Sequence, residues 1–169
     1  STIWDFTNII GEKKHQIIKK EKDFIKSAFF KNSKLNFTEN LLKKKDDNDA
    51  IVFFSEQKFQ RRVSWRELNI KVNIIAKFFK KNGIKKGDRI VGILPNIPET
   101  VISFLAAAKI GAIWSSCSAD FGPKAILDRF SQIKPKLLIV SNEYYYNNKK
   151  IDTLKKIDSL LTKLPSVKN

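Results

Sequence analysis

Methionine is absent from the 169 residues, and cysteine and histidine occur once each. One thiol, Cys117, excludes an internal disulfide and leaves no thiolate set for zinc. Its surroundings are apolar, so it reads as a small buried hydrophobe rather than a nucleophile. The lone His15 lies among lysines and reads as solvated, with no ligand set to join, so no metal site is expected. Glycine is scarce, with six in all. Gly83, Gly87 and Gly92 have neither the spacing of a Walker loop nor that of a dinucleotide fingerprint. There is no Gly-x-Ser-x-Gly elbow either. No apolar run approaches about 18 residues, so no membrane span is expected. The first residues lack a charged region followed by an apolar stretch, so no secretory leader is expected. With the single thiol, this fits a reducing, cytoplasmic setting. The start at Ser1 without methionine reads as that of a segment of something longer.

Positive charge is plentiful. Lysine and arginine total 33 against 17 acidic residues, a formal net charge of +16, which raises nucleic acid as a partner. The distribution argues otherwise. Lysine far outnumbers arginine and is spread along the whole chain, whereas base readout and phosphate clamping favour arginine. No helix-turn-helix, zinc ligand set or RNA-binding aromatic motif accompanies the charge. Apolar residues make up 42% and aromatics 11%, which describes a globular chain able to bury a core.

The first 49 residues read as an extension that wraps a larger body. Ser1 to Asn8 suggests a short amphipathic turn anchored by Ile3, Trp4 and Phe6. Lys13 to Lys26 reads as a loop or a weak helix, Glu39 to Leu42 as one helical turn, and Lys43 to Asp49 as a solvated loop. From residue 50 to 169 the pattern sharpens into a partial α/β subdomain. Ile51–Phe54 and Gln60–Val63 read as strands around a polar turn. Ser64-Trp65-Arg66-Glu67 forms a capping box ahead of Leu68, Val72, Ile75, Phe78 and Phe79 at helical spacing. Gly83 suits a left-handed cap, and Gly87-Asp88 turns the chain into a buried strand, Arg89 to Leu94. Pro95 stops that strand, and Asn96 is placed to cap a helix with Pro98 and Glu99 in its first turn. Gly111 leads into Ala112 to Cys117, read as another interior strand. Pro123 opens a helix whose inner face is Ile126, Leu127, Phe130 and Ile133. Lys136 to Val140 reads as a strand and Asp152 to Leu164 as a last amphipathic helix. This alternation predicts a mostly parallel sheet covered by helices on both faces. Ligands of such sheets bind beyond the carboxyl ends of the strands, so the turns after Leu94, Cys117 and Val140 are the places to look.

Two of those turns carry candidate residues. In Ser118-Ala119-Asp120-Phe121-Gly122, free amides ahead of a helix could face an anion, or Asp120 could simply cap that helix. In Tyr144-Tyr145-Tyr146-Asn147-Asn148-Lys149-Lys150, aromatics beside lysines could stack a purine and neutralise a phosphate, or the tyrosines could pack on the protein body. Glu99, Asp120, Asp128 and Glu143 stand isolated and read as caps or surface charges. No catalytic residue is assigned.

Several segments, in order and spacing, resemble acetoacetyl-CoA synthetases of the adenylate-forming superfamily. They are Phe29-Phe30 with Leu35-Asn36-Phe37-x-Glu39-Asn40-Leu41-Leu42, Leu94-Pro95-Asn96-Ile97-Pro98-Glu99, Gly111 through Gly122, Asp128-Arg129-Phe130-x-Gln132-Ile133-x-Pro135-Lys136, and Tyr144-Tyr145-Tyr146-Asn147. The resemblance implies the N-terminal part of a large domain, with the rest of the same chain as its partner. It also implies a ligase that uses ATP, Mg²⁺ and CoA to convert acetoacetate into acetoacetyl-CoA. Acetyl- or propionyl-CoA synthetase, or a non-catalytic nucleotide-binding module, are the alternatives. The family's Ser/Thr/Gly-rich ATP loop and C-terminal lysine domain do not occur in these residues, which implies no turnover by them alone. Related CoA synthetases approach the CoA adenosine and 3′-phosphate with a short turn and with two arginines three apart. Mapped onto this sequence, those positions are Ser118, Ala119 and Asp120, then Tyr146 and Lys149. Asp120 stands where relatives carry glycine, and Tyr146 replaces a cation.

Overall fold

A computed structural model describes residues 2–56 and 60–168. Its internal contacts divide the chain into two units, residues 1–43 and 44–169.

The first unit is built from short pieces: α1 (Thr2–Phe6), β1 (Gly11–Glu12), β2 (Ile18–Lys19), β3 (Ala28–Phe29), β4 (Lys34–Leu35) and α2 (Phe37–Leu41). β1 pairs antiparallel with β4, and β2 with β3. The anchor in α1 is Trp4 alone, buried and tilted against the Phe30 ring at 5.2 Å, while Ile3 and Phe6 are exposed. Strands this short hold by side-chain clamps. The Asn40 amide accepts from the Ile10 N–H and donates to the Ile10 carbonyl, both at 2.8 Å, and Asn36 caps α2 by accepting from the Glu39 amide. The segment 13–26, read as a loop or weak helix, contains β2 and a single 3₁₀ turn at Phe24–Lys26. The expected solvated lysine run is partly engaged: Lys43 donates to the Thr7 carbonyl at 3.0 Å.

The second unit contains β5 (Asp49–Phe54), β6 (Gln60–Ser64), α3 (Trp65–Lys81), β7 (Arg89–Ile93), α4 (Pro98–Lys109) and β8 (Ile113–Cys117). It continues with α5 (Pro123–Phe130), β9 (Leu137–Val140), β10 (Glu143–Tyr146), β11 (Lys149–Asp152) and α6 (Leu154–Leu161). The turn between β5 and β6 includes residues 57–59, outside the described residues. At the start of α3 the Ser64 Oγ accepts from the Glu67 amide at 3.1 Å, while the Glu67 carboxylate lies 2.7 Å from Lys71. At its end Gly83, with φ +74°, donates to Lys80, and Ile84 donates to Phe79. Those two bonds form a Schellman motif closed by two buried side chains, Phe79 and Ile84.

The parallel sheet has the order β8-β7-β9, with Ile90 level with Trp114 on one side and Leu137 on the other. Outside this sheet β5 and β6 pair antiparallel with each other. Two differences from the sequence expectation have physical reasons. β8 is an edge strand rather than an interior one, with Ile113 53% exposed and only Cys117 buried. Asn96 does not cap α4: Ile97 occupies the cap position, and the Thr100 hydroxyl donates to the Pro95 carbonyl at 2.7 Å instead.

Because β7 is central, the chain moves one way to β8 and then back across β7 to β9. Right-handed crossovers put α4 and α5 on opposite faces of the sheet. Val91, Ile93, Ile126, Phe130, Ile157 and Leu160 form one buried cluster, which places α5 and α6 on the same face. Gly92 points the other way, where the Trp114 indole crosses it.

Candidate functional site

The carboxyl ends of β7 and β8 are adjacent, and their connections leave toward opposite faces. In the strand order β8-β7-β9 the topological switch point lies between β7 and β9, whose carboxyl ends lead into Leu94–Ile97 and into Ser141–Glu143. The Leu94 amide donates to the Cys117 carbonyl at 3.3 Å and the Ser141 amide to the Ile93 carbonyl at 3.3 Å, so all three exits are tied to one edge. An open cleft of about 500 Å³ lies at this edge, walled by Phe53, Phe54, Pro95, Ile97, Tyr144 and Tyr145, with Ser55, Glu56, Asn96 and Glu143 as its polar groups.

The tyrosine run is a hairpin, β10 paired with β11, rather than a loop. Its two-residue turn, Asn147-Asn148, has φ +51° and +57°, the type I′ geometry that asparagine tolerates. That turn puts Tyr146 directly opposite Lys149 on one face, both exposed. One pair along, Tyr145 opposes Lys150, whose ammonium lies 2.6 Å from Glu143 and is held charged above its ordinary range by it. Tyr144 packs on the core, and burial pushes its phenol up, with the negative charge of Asp120 adding to the effect. The Glu56 carboxylate accepts the Asn148 amide at 3.1 Å and so fastens the hairpin tip.

The turn after β8 carries the other three candidates. Ser118 and Asp120 are exposed, whereas Ala119 is 1% exposed and inserts into the core cluster. Asp120 does not cap α5; Gly122 holds the cap position and Pro123 the first turn. Beneath the turn, the Lys156 ammonium donates to the Ala119 carbonyl and, at 3.2 Å, to the Phe121 carbonyl. Arg129 stacks 4.6 Å from the Phe121 ring. Cys117 is buried, and that burial raises its thiol pKa more than Arg129 and Lys156 lower it. Of the carboxylates read as surface charges, Glu99 pairs with Arg61 at 2.6 Å and Glu143 with Lys150. Glu56 and Lys156 escaped the sequence reading. A glutamate at a strand end and a lysine in a lysine-rich helix give no local signal of their long-range bonds.

This edge presents the exposed Tyr146 ring beside the exposed Lys149 side chain. Among the described residues no three carboxylate, imidazole or thiol side chains gather into a metal site. Among them, too, no helix is long and apolar enough to cross a membrane.

Residues 37–169 match the family described as AMP-binding enzyme. The chain is 40% identical over 164 residues to the acetoacetyl-coenzyme A synthetase of Rhizobium meliloti (strain 1021), covering 97% of this chain and 25% of that protein. It is 42% identical over 170 residues to the acetoacetyl-CoA synthetase of Xenopus tropicalis, covering 98% of this chain and 25% of that one. The solved acetoacetyl-CoA synthetase from Streptomyces lividans superposes with a TM-score of 0.91 at 28% identity, over 98% of this chain and 26% of that chain. The chain thus spans about a quarter of the length of these relatives. With the family pattern running from α2 through the parallel sheet and the hairpin, the chain belongs to the AMP-binding enzymes.

Proposed function

We propose that this chain is the N-terminal part of a cytoplasmic acetoacetate–CoA ligase. In the first step acetoacetate attacks the α-phosphorus of ATP, giving acetoacetyl-AMP and pyrophosphate, with Mg²⁺ accompanying the triphosphate. In the second step the CoA thiol attacks the acyl carbon and AMP leaves. The observation that carries this reading is the likeness to proteins named acetoacetyl-CoA synthetase over 97–98% of the chain. Lys149 and Tyr146 receive the CoA nucleotide in this reading, the ammonium on a phosphate and the ring on the base, with Ser118, Ala119 and Asp120 forming the facing turn. The exposure of Tyr146 and Lys149 and their cross-strand pairing support it. A point charge and a ring replace the forked pair of guanidiniums, so base stacking takes a larger share.

The test uses the complete ligase. Lys149→Ala and Tyr146→Ala are expected to raise KM for CoA by about three- to tenfold while acetoacetate-dependent pyrophosphate exchange holds. An unchanged KM in both variants refutes the site. A higher kcat/KM for acetate or propionate than for acetoacetate refutes the substrate. The 169 residues alone are expected to release no AMP, because the ATP loop that positions the phosphates is not among them.

A further inference from the structure

The Ser118–Gly122 turn has little of its own to hold it. Inside it, one bond of 3.3 Å runs from the Phe121 amide to the Ser118 carbonyl. Neither Asp120 nor Gly122 supplies a side-chain cap to α5. What holds the turn from outside is Lys156, the third residue of α6, half-buried and donating to two carbonyls of the turn, Ala119 and Phe121. The peptide bonds are trans, and in a planar trans peptide the C=O and N–H point in opposite directions. With the Ala119 and Phe121 carbonyls drawn toward one ammonium, the N–H groups of Asp120 and Gly122 are turned away from it. Lys156 therefore fixes the direction of two amide donors in the turn after β8 and adds a positive charge behind them.

We propose that Lys156 is a positioning residue for CoA: it orients the turn so that the amides of Asp120 and Gly122 face the nucleotide phosphates. The inference rests on the reading of this edge as the CoA site. It also accounts for a departure in the turn. Asp120 brings a carboxylate to an anion site, and a cation directly behind the backbone offsets that charge. The surrounding elements present Arg129 and Lys156 toward the base of the turn and Asp120 beside it, and all three act electrostatically on Cys117.

The experiment compares Lys156→Met, Lys156→Gln and Lys156→Arg in the complete ligase, with Lys149→Ala as the reference. Pyrophosphate exchange with acetoacetate reads the first step, CoA-dependent AMP release reads the second, and thermal melting reads folding. Lys156→Met is expected to raise KM for CoA about tenfold, with exchange kinetics unchanged. Lys156→Arg, which keeps charge and donors, is expected to stay within about twofold of the parent. Should Lys156→Met fail to fold, Lys156→Gln carries the same expectation, because its neutral amide supplies neither the charge nor bonds to both carbonyls. If Lys149→Ala raises KM and the Lys156 variants do not, Lys156 is not a positioning residue, while the CoA site stands. If Lys149→Ala also leaves KM unchanged, the CoA site and this inference fall together. An equal loss in both half-reactions that tracks the melting temperature makes Lys156 a general brace of the fold and overturns the proposal.

Discussion

Replacing Gly92 by alanine tests how the sheet is packed. Gly92 lies mid-strand in β7, and a Cβ there would meet Trp114 Cη2 and Cζ2 and Leu94 Cδ1, each at 3.0 Å. Ordinary carbon contacts begin near 3.5 Å, so the neighbours must yield by about half an ångström. Leu94 can rotate, since only the end of its side chain is involved. The indole cannot move as freely, because its Nε1–H donates to Ser116 Oγ at 3.2 Å on the same strand. Overpacking of this kind costs about 1–3 kcal/mol. Against it stands a gain of about 0.4–1 kcal/mol, because alanine restricts the unfolded chain more than glycine does. Gly92→Ala should therefore lose about 0.5–2 kcal/mol, read as a lower urea midpoint by far-ultraviolet circular dichroism, or as a melting temperature lower by roughly 1–8 °C. The decisive arm is the same change in a Trp114→Ala background. With no indole above it, alanine at 92 should be neutral or stabilising by up to about 1 kcal/mol, a coupling of about 1–3 kcal/mol. Equal losses in both backgrounds would refute the indole contact as the cause.

The titrating groups supply two more tests. The Lys136 ammonium, 2.9 Å away, and then the Lys85 amide hold the Asp88 carboxyl below its ordinary value. A lowered folded pKa stabilises at pH values above the unfolded one, so stability should be level near neutrality and fall as acid takes the pH below about 4, with a shallower fall in Asp88→Asn, where the lowered Asp47 and Glu99 carboxylates still titrate. If Asp88→Asn leaves the protein as acid-sensitive as the parent, Asp88 drops out of the account. Cys117 is buried with a raised thiol pKa, so a disulfide reagent at pH 8 should react about tenfold or more slowly with the folded chain than with the chain in urea. Equal rates would show that the thiol is open to solvent.

Much of the fold was legible wherever the signal was local. The Ser64 cap, the Gly83 and Gly87 turns at φ +74° and +84°, and the inner face of α5 depend on residues close in sequence. Sheet membership is not local, and there the reading went astray. Ala112 to Cys117 looked interior because apolar residues flank it, yet Ser115 and Ser116 occupy its middle, a composition suited to an edge. The hairpin, by contrast, has a local signal. Three tyrosines favour a strand, and Asn147-Asn148 favours a left-handed two-residue turn, where the expectation was a loop that either binds a nucleotide or packs its tyrosines on the protein body.

The hairpin also explains why a spacing of three matters at this site. In a helix, residues three apart share a face about one turn along the axis. Across a two-residue type I′ turn, residues i and i+3 close the ladder and stand opposite each other, with Cβ atoms about 5 Å apart. Tyr146 and Lys149 are such a pair, so a ring and an ammonium are presented together without any long-range packing to align them. What the turn cannot set is where the pair stands relative to the cleft. That falls in part to a bond far apart in sequence, Glu56 to the Asn148 amide, while Lys156 holds the separate turn after β8 through the Ala119 and Phe121 carbonyls. Tyr146 and Lys149, the pair proposed above for the nucleotide, are thus readable from a short motif. The bonds of Glu56 and Lys156 are not, because their partners lie 92 positions away for Glu56 and 35–37 for Lys156.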